Sequence, residues 1–463
     1  MAVNLGALIL AGGKGTRMYS ALPKVLQPIL GEPMLSYVYS ALAPMFGEQI
    51  FTVIGHRAEL LRLAFPQFED RFILQAEQLG TGHALQTAWP ALREACLTHV
   101  LVVSGDVPLI SRDTLTTFIN AVERSQSPLG FISLTLRDPG AYGRVLRDND
   151  GKVSNIIEAK DYDSAKYGPE PNEINAGVYC LEMERIEPLL PLLQNKNKSG
   201  EFYITDLIAL AAQSDLDVIG VQCGGDETLL GVNNPQELIR TENIVREEVV
   251  RKHLEAGVFI HMPESVRIGP DAVIAPGARL QGPCQILGAS RIAAHAEVEA
   301  FCHLNNAVLG EGAVARSFSH LENAVLEAGA IAGPYARLRP GAHLEENSRA
   351  GNFVEVKNST LGPGAKASHL TYLGDAHVGA GANIGAGTIT CNYDGHKKHR
   401  TTIGARAFIG SNTALVAPVS IGESSLVGAG STITKDVPDN SLALTRPEQI
   451  NKPRRKKPTQ ETK

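Results

Sequence analysis

Lys14, Arg17 and Lys24 place three cations within eleven residues, interleaved with Gly12, Gly13 and Gly15. Glycines let backbone N–H groups approach an anion closely and the cations supply charge, so the chemistry is phosphate binding. Leu8-Ile9-Leu10 just before them reads as a short strand buried in a parallel sheet. The loop is thus expected at the carboxyl end of a first strand. It is not a P-loop, because Lys14 precedes Gly15 and no Ser or Thr follows a Gly-Lys pair. It is not the dinucleotide fingerprint either, because Met18 stands where the third glycine belongs. What remains is Gly-x-Gly-Thr-Arg-Met with Pro23-Lys24 downstream. The alternative is an ordinary glycine-rich turn with solvated basic residues.

Other loops carry groups of the same kind. Ser104-Gly105-Asp106 follows the apolar run Val100–Val103. An acidic residue there can hold Mg²⁺ against phosphates, and it can equally be a helix N-cap. Gln75 precedes a tight Gly80-Thr81-Gly82 turn. Its amide can read a donor and an acceptor on a base edge, or simply belong to a polar turn. Gly143, Glu158, Asn175, the run 200–206 and Asn233 each lie in turn-like sequence that is indecisive alone. In the distal half, His369 lies two residues after an inward Ala367, and residues 391–400 (CNYDGHKKHR) interrupt a repeat. An inserted loop on a rigid repeat is a usual place for function.

The elements that must position these groups follow from periodicity. Residues 1–235 alternate short apolar runs (50–54, 100–103, 131–136) with amphipathic segments such as 33–46 and 82–95, which predicts an α/β domain with a mostly parallel sheet. Ligands in such sheets sit at the carboxyl ends of strands. Residues 236–256 carry apolar residues at helical spacing among charges, with Gly257 as a stop, and predict a linker helix. From 257 to 463 a six-residue period takes over. Ile268, Ile274, Leu280, Ile286, Ile292, Val298 and Leu304 keep strict register. Leu338, Leu344, Ala350 and Val356 continue it, Leu361, Ala367 and Leu373 follow a one-residue slip, and Ile403 to Ile433 restore it. This predicts a hexapeptide β-helix of triangular coils, with the aliphatic residue inward. The stretch 305–325 keeps the period poorly and leaves the coil register there open.

Composition bounds the function. Hydrophobic residues make up 43% of the 463 and aromatics only 5%, which fits a narrow prism core. A net charge of −6 gives no reason to expect nucleic acid. The basic run 452–457 reads as a solvated tail. Six isolated cysteines show no Cys-x-x-Cys spacing, so reduced thiols in the cytoplasm are expected. No signal peptide and no apolar run long enough to span a bilayer are apparent.

The Gly-x-Gly-Thr-Arg-Met…Pro-Lys run resembles the signature of sugar-1-phosphate nucleotidyltransferases. Residues 5–235, taken with the order of their loops, resemble the N-acetylglucosamine-1-phosphate uridyltransferases. The resemblance implies that Leu10, Ala11, Gly12, Gly13, Gln75, Gly80, Thr81, Gly105, Gly143, Glu158, Asn175 and Asn233 contact the uridine or the sugar phosphate. Ser104 stands where some members have a tyrosine. Lys24 would pair with phosphate, Arg17 would offset triphosphate charge, and Asp106 with Asn233 would hold Mg²⁺. UTP and N-acetylglucosamine-1-phosphate would be the substrates. The stretches 336–341, 383–387 and 392–395 resemble the acetyltransferase half of the bifunctional members of that family. By that resemblance His369 is the general base. Arg339 and Lys357 hold the phosphate of glucosamine-1-phosphate, and Tyr372, Asn383 and Asn392 position the sugar. Ala386, Asn392, Tyr393, Ser411, Ala429 and Arg446 line the acetyl-CoA site, and three chains associate as a homotrimer. The product, UDP-N-acetylglucosamine, leads to peptidoglycan, cell wall and lipopolysaccharide.

Two rival functions would require less of the chain. A single-activity nucleotidyltransferase with a structural β-helix would need neither His369 nor the 391–400 loop. A non-enzymatic assembly subunit would not need an intact Gly-Thr-Arg…Pro-Lys motif or Asp106.

Overall fold

The structure is a computed structural model, and it describes residues 4–224 and 228–454. These fall in two compact units that divide between Val245 and Arg246. The end of the basic run, from Arg455 on, lies outside the described residues, as do residues 1–3.

The first unit is built on a sheet of strands β1 (Leu5–Leu10), β2 (Ile50–Ile54), β3 (Phe72–Leu74), β4 (His99–Ser104), β5 (Leu129–Thr135), β6 (Glu173–Glu182) and β7 (Val218–Gln222). Their spatial order is 3-2-1-4-6-5-7. Strand β6 runs antiparallel to both of its neighbours, β4 and β5. The pairs β1 with β2 and β4, β2 with β3 and β5 with β7 are parallel. The hairpin Arg144–Arg147 with Val153–Ile157 pairs onto β6. Helix Met34–Phe46 shows why such segments dock. Met34, Leu35, Val38, Tyr39, Leu42 and Phe46 recur every three or four residues and are buried, and Gly47 in a positive-φ conformation (52°) ends the helix. A 21-residue helix, Pro235–Glu255, follows where the sequence predicts a linker helix.

The second unit is a left-handed parallel β-helix with hexapeptide repeats. Each short strand pairs in parallel with the strand one coil away, as in Ile268 with Ile286 and Leu280 with Val298. Every periodic aliphatic residue of the sequence points inward. Leu280, Ile286, Leu304, Leu338, Val356, Leu373, Ile403 and Leu415 have no exposed surface.

The register through 305–325 is continuous but shortened. Leu304 is followed inward by Leu309, and Leu321 by Leu326, in steps of five rather than six. The step from Val356 to Leu361 and that from Leu373 to Val378 are shortened in the same way. Each short corner contains one residue in the left-handed region: Asn306, Asn323, Asn358 or Asp375. Asn and Asp tolerate this conformation better than other non-glycine residues. Six-residue corners in the same column use Gly288 and Gly341 instead.

Phe301, Phe318, Tyr335 and Phe353 stack face to face on the outside, with ring centroids 4.7, 4.8 and 5.2 Å apart. All four have positive φ and stay about half exposed. The aromatic residues of this unit therefore line its surface rather than its core.

Candidate functional sites

The phosphate loop closes around a triad. Gly15 adopts φ 56°, and a Cβ there would fall 2.7 Å from Lys24 Cβ, so only glycine lets the two segments meet. Lys24 Nζ donates to Asp106 Oδ2 and lies 3.3 Å from Asn233 Oδ1. Arg17 Nη2 donates to the same Asn233 oxygen at 3.2 Å. Asn233 is itself held by its neighbours. Its backbone N–H donates to Glu237 Oε2 at 2.7 Å, while Asn234 Oδ1 accepts from the Glu237 N–H at 2.9 Å as the N-terminal cap of the following helix.

Asp106 is not a helix cap. The next helix, Arg112–Ser125, is capped by Ser111, whose Oγ accepts from the Thr114 N–H. Burial pushes the Asp106 carboxyl up, but the Lys24 ammonium and hydrogen bonds more than offset this and hold it below the ordinary carboxylate range.

A cleft of about 500 Å³ opens beside the triad. It is lined by Leu10, Ala11, Gly12, Gly13, Lys24, Gln75, Gly80, Thr81, Ser104 and Asp106, all expected from the sequence, and by Glu201 of the run 200–206. Gln75 is buried at the bottom. Its Nε2 donates to the Gly80 carbonyl at 3.1 Å and meets His83 Nδ1 at 3.0 Å. Gly105 has a packing role, since a Cβ there would crowd Val25 and Ala11.

Gly143, Glu158 and Asn175 form a second group outside this lining. The Asn175 N–H donates to the Gly143 carbonyl at 2.9 Å, and a Cβ on Gly143 would lie 3.5 Å from Glu158 Oε1. Thr205 links this group to the cleft. Its hydroxyl donates to Glu158 at 3.0 Å, and the adjacent Ile204 N–H donates to Thr81 Oγ1 at 3.1 Å. Burial pushes the Glu158 carboxyl up, and the Asp206 and Asp161 charges add to that. The Asn175 carboxamide is already engaged, donating to Tyr179 Oη and accepting from the Gly177 N–H.

Mg²⁺ takes oxygen ligands, often one or two carboxylates completed by substrate phosphates. The oxygens of Asp106 and Asn233 fit that chemistry, since both already face the ammonium of Lys24. Among the described residues no three His, Cys, Asp or Glu converge to hold a metal alone.

In the β-helix, His369 projects from the strand Lys366–Gly374 into solvent, off the core register as expected. Ala386, Ser411 and Ala429 occupy the same column on successive coils. This is fixed by hydrogen bonds from Gly387 N–H to the Leu370 carbonyl, from Asn412 N–H to Ala386 and from Gly430 N–H to Ser411, at 2.9, 2.7 and 2.8 Å. Arg446 packs beside Gly430 at the end of that column.

A second set gathers where strands Arg349–Lys357 and Lys366–Gly374 run side by side. Arg339 Nη1 donates to Glu355 Oε1 at 2.9 Å, and Glu355 pairs across the coils with Tyr372. Asn383 lies one coil beyond Lys366. Asn392 donates to Asp375 Oδ2 at 2.5 Å, which pins the base of the inserted loop. Within the loop Asp394 accepts from the backbone of His396 and Lys397 and faces His399 at 2.7 Å. Tyr393 is exposed.

The sequence reading missed Lys398. It approaches Lys357 closely enough that, with Arg339 next in importance, it holds the Lys357 ammonium below the usual lysine range. The run of cations in 396–400 is the signal that could have pointed to it.

An α/β unit with a phosphate loop at its strand ends, followed by a hexapeptide β-helix with an outward histidine, defines a two-domain transferase. Residues 7–140 match the MobA-like NTP transferase domain, and residues 400–435 match the hexapeptide repeat of succinyl-transferase. The chain is 60% identical to the bifunctional protein GlmU of Nitratidesulfovibrio vulgaris (strain DP4), over 99% of this chain and all of that one. It is 57% identical to that of Oleidesulfovibrio alaskensis over 96% and 97% of the two chains. It is 42% identical to that of Acinetobacter baylyi over 97% and 98%. The chain belongs to the bifunctional GlmU family.

Proposed function

We infer that the chain carries out two successive group transfers that end in UDP-N-acetylglucosamine. The β-helix unit transfers acetyl from acetyl-CoA to the amine of glucosamine-1-phosphate. The α/β unit then transfers uridylyl from UTP to N-acetylglucosamine-1-phosphate and releases pyrophosphate. Full-length similarity to GlmU proteins carries this reading, and matches to an NTP transferase domain in the first half and a hexapeptide repeat in the second support it.

In the uridylyl step a sugar-phosphate oxygen attacks the α-phosphorus of UTP, and pyrophosphate leaves. The phosphate monoester is already ionised near neutral pH, so no general base is needed. We assign Lys24 and Arg17 to neutralise phosphate charge. Gln75, Gly80 and Thr81 read the base, and Gly143, Glu158 and Asn175 take the sugar. Asp106 and Asn233 would hold Mg²⁺, which supplies charge stabilisation to the phosphates when bound.

In the acetyl step the amine nitrogen attacks the thioester carbonyl, and His369 takes the amine proton. The CoA thiolate leaves and is protonated. Arg339, Lys357 and Lys398 gather around the sugar phosphate, Tyr372 and Asn383 orient the ring, and the column Ala386, Ser411, Ala429 and Arg446 follows the length of CoA. The Ala386 backbone N–H faces the thioester oxygen.

The hexapeptide unit and its exposed stack of rings support association of three chains. The six unpaired cysteines support a cytoplasmic setting. Among the described residues no helix is long and apolar enough to cross a membrane.

The test is a crossed pair of variants in the full chain. In Asp106→Ala uridylyl transfer is expected to fall by at least about 10³-fold with acetyl transfer intact, and His369→Ala should do the reverse. Thiol release from acetyl-CoA and pyrophosphate release from UTP read the two reactions. An intact chain that releases no thiol would leave a single-activity nucleotidyltransferase.

A further inference from the structure

The ring of His369 meets a side chain from the preceding coil. Strand Arg349–Lys357 pairs in parallel with Lys366–Gly374, and the register sets Asn352 directly against His369. Asn352 Oδ1 lies 2.5 Å from His369 Nδ1. Two features of the backbone hold the pair. A Cβ on Gly351 would fall 2.0 Å from the Ser368 carbonyl oxygen, so glycine alone lets the two coils approach this closely. Phe353 and Leu370, which directly follow the pair, both adopt the left-handed region, with φ 56° and 47°. Each strand turns sharply there, so Asn352 and His369 leave the prism together. The Thr371 hydroxyl donates to the His369 carbonyl at 2.8 Å and ties the turn down.

We propose that Asn352 is a positioning residue for acetyl transfer: its side-chain oxygen accepts from Nδ1–H of His369 and so keeps Nε2 unprotonated to receive the amine proton. This rests on His369 being the base. A neutral imidazole carries one proton, and the partner at one nitrogen decides which nitrogen is basic. With Nδ1–H committed to Asn352, the lone pair sits on Nε2. The proton lost by the amine goes to Nε2 and is then given to the departing thiolate. Asn352 itself gains and loses no proton. An amide oxygen, unlike a carboxylate, orients the ring without a full negative charge that would favour imidazolium in the resting enzyme. The charged positions on the two strands are Arg349, Glu355, Lys357 and Lys366, and all are kept in the variants below.

The experiment measures thiol release by the full chain as wild type, Asn352→Ala, Asn352→Asp and His369→Ala. Pyrophosphate release in the same samples normalises the enzyme concentration, and amide hydrogen exchange across the β-helix checks that each variant is folded. Asn352→Ala is expected to lower kcat about 10-fold to 100-fold with KM for both substrates within twofold, because binding does not use this amide. Asn352→Asp keeps an acceptor in place. It should recover most of that loss, and the acid limb of its kcat/KM profile should move to higher pH. A residue that only shapes the coil would move neither the profile nor the kcat-to-KM split. If His369→Ala loses thiol release while Asn352→Ala keeps kcat within twofold, the positioning role is wrong. An Asn352→Asp profile that does not move would also overturn it. If His369→Ala keeps thiol release, the underlying assignment of the base fails first.

Discussion

The two units solve the same problem, holding an anionic substrate, with opposite architectures. In the α/β unit the core splits into two clusters that both use large rings, Tyr39, Phe46, Phe65 and Phe118 in one and Phe51, Trp89, Phe131 and Tyr179 in the other. Its site is assembled by loops far apart in sequence: Lys24, Asp106 and Asn233 meet at strand and helix ends. In the β-helix the core is a single file of Ala, Val, Ile, Leu and Cys, and rings stand outside it. Its site lies on the outer faces of strands, where one coil places residues at fixed intervals beside one another. The first architecture positions charges by pairing them with each other, and the second positions them by register.

The sharpest way to break this contrast is to remove a paired charge. In Lys24→Ala, Asp106 loses its counter-ion and Arg17 alone faces Asn233. Pyrophosphate release should fall about 10³-fold, while thiol release stays within twofold. An equal loss of both activities would mean that the two sites are not built independently.

The cores differ next. Leu304 has no exposed surface, and Leu304→Ala should destabilise its unit by roughly 2–5 kcal/mol. Coils contact chiefly their neighbours, so faster amide exchange should be confined to coils beside Leu304. Phe118→Ala should cost a similar amount, about 3–5 kcal/mol, but loosen its whole unit. Hydrogen exchange separates the two patterns.

A smaller effect tests the acidic side of the α/β site. Burial first, and the Asp161 charge second, push Asp206 from the model-compound value of 3.8 up to about 6. The folded chain thus holds this proton more tightly than the unfolded one. The stabilisation is full below about 3.8 and is lost as pH rises through about 6. Asp206→Asn should gain stability relative to wild type between pH 4 and pH 7. The gain should be on the order of 1 kcal/mol after allowance for solvent screening, read from denaturant unfolding at both pH values.

The smallest effect lies at the shortened corners. Asn323 sits at φ 45°. Asn323→Ala should cost about 1 kcal/mol and Asn323→Gly only a few tenths, by thermal unfolding. Equal losses in both would place the cost in lost side-chain contacts rather than in the backbone.

Much of this was legible because the chemistry repeats in the chain. The inward aliphatic residues, Ile268 through Leu304 and Ile403 through Ile433, are spaced by the geometry of the coil itself, so their burial could be read without coordinates. The stretch 305–325 resisted because five-residue steps break a six-residue count. The clue, an Asn at 306 and 323, is conformational rather than hydrophobic. Asp106 could be read as a cap or as a ligand, and only Ser111 in the cap position removes the first choice. The cations of 396–400 are visible in the sequence, but which of them meets Lys357, and that Asn352 meets His369, is not. The 391–400 insertion hides the coil spacing between Lys357 and Lys398, and the five-residue step from Val356 to Leu361 shifts the count between Asn352 and His369.

By itself the sequence determined the fold classes, the sheet-end phosphate loop and the axis of the prism. These follow from local propensity and from a period that any stretch of chain carries within it. Tertiary structure decided which side chains meet. It set the ammonium of Lys24 between Asp106 and Asn233, split Gly143, Glu158 and Asn175 from the cleft lining, and placed Asn352 against His369. Such meetings depend on loop paths and coil register summed over tens to hundreds of residues, and no local period encodes that sum.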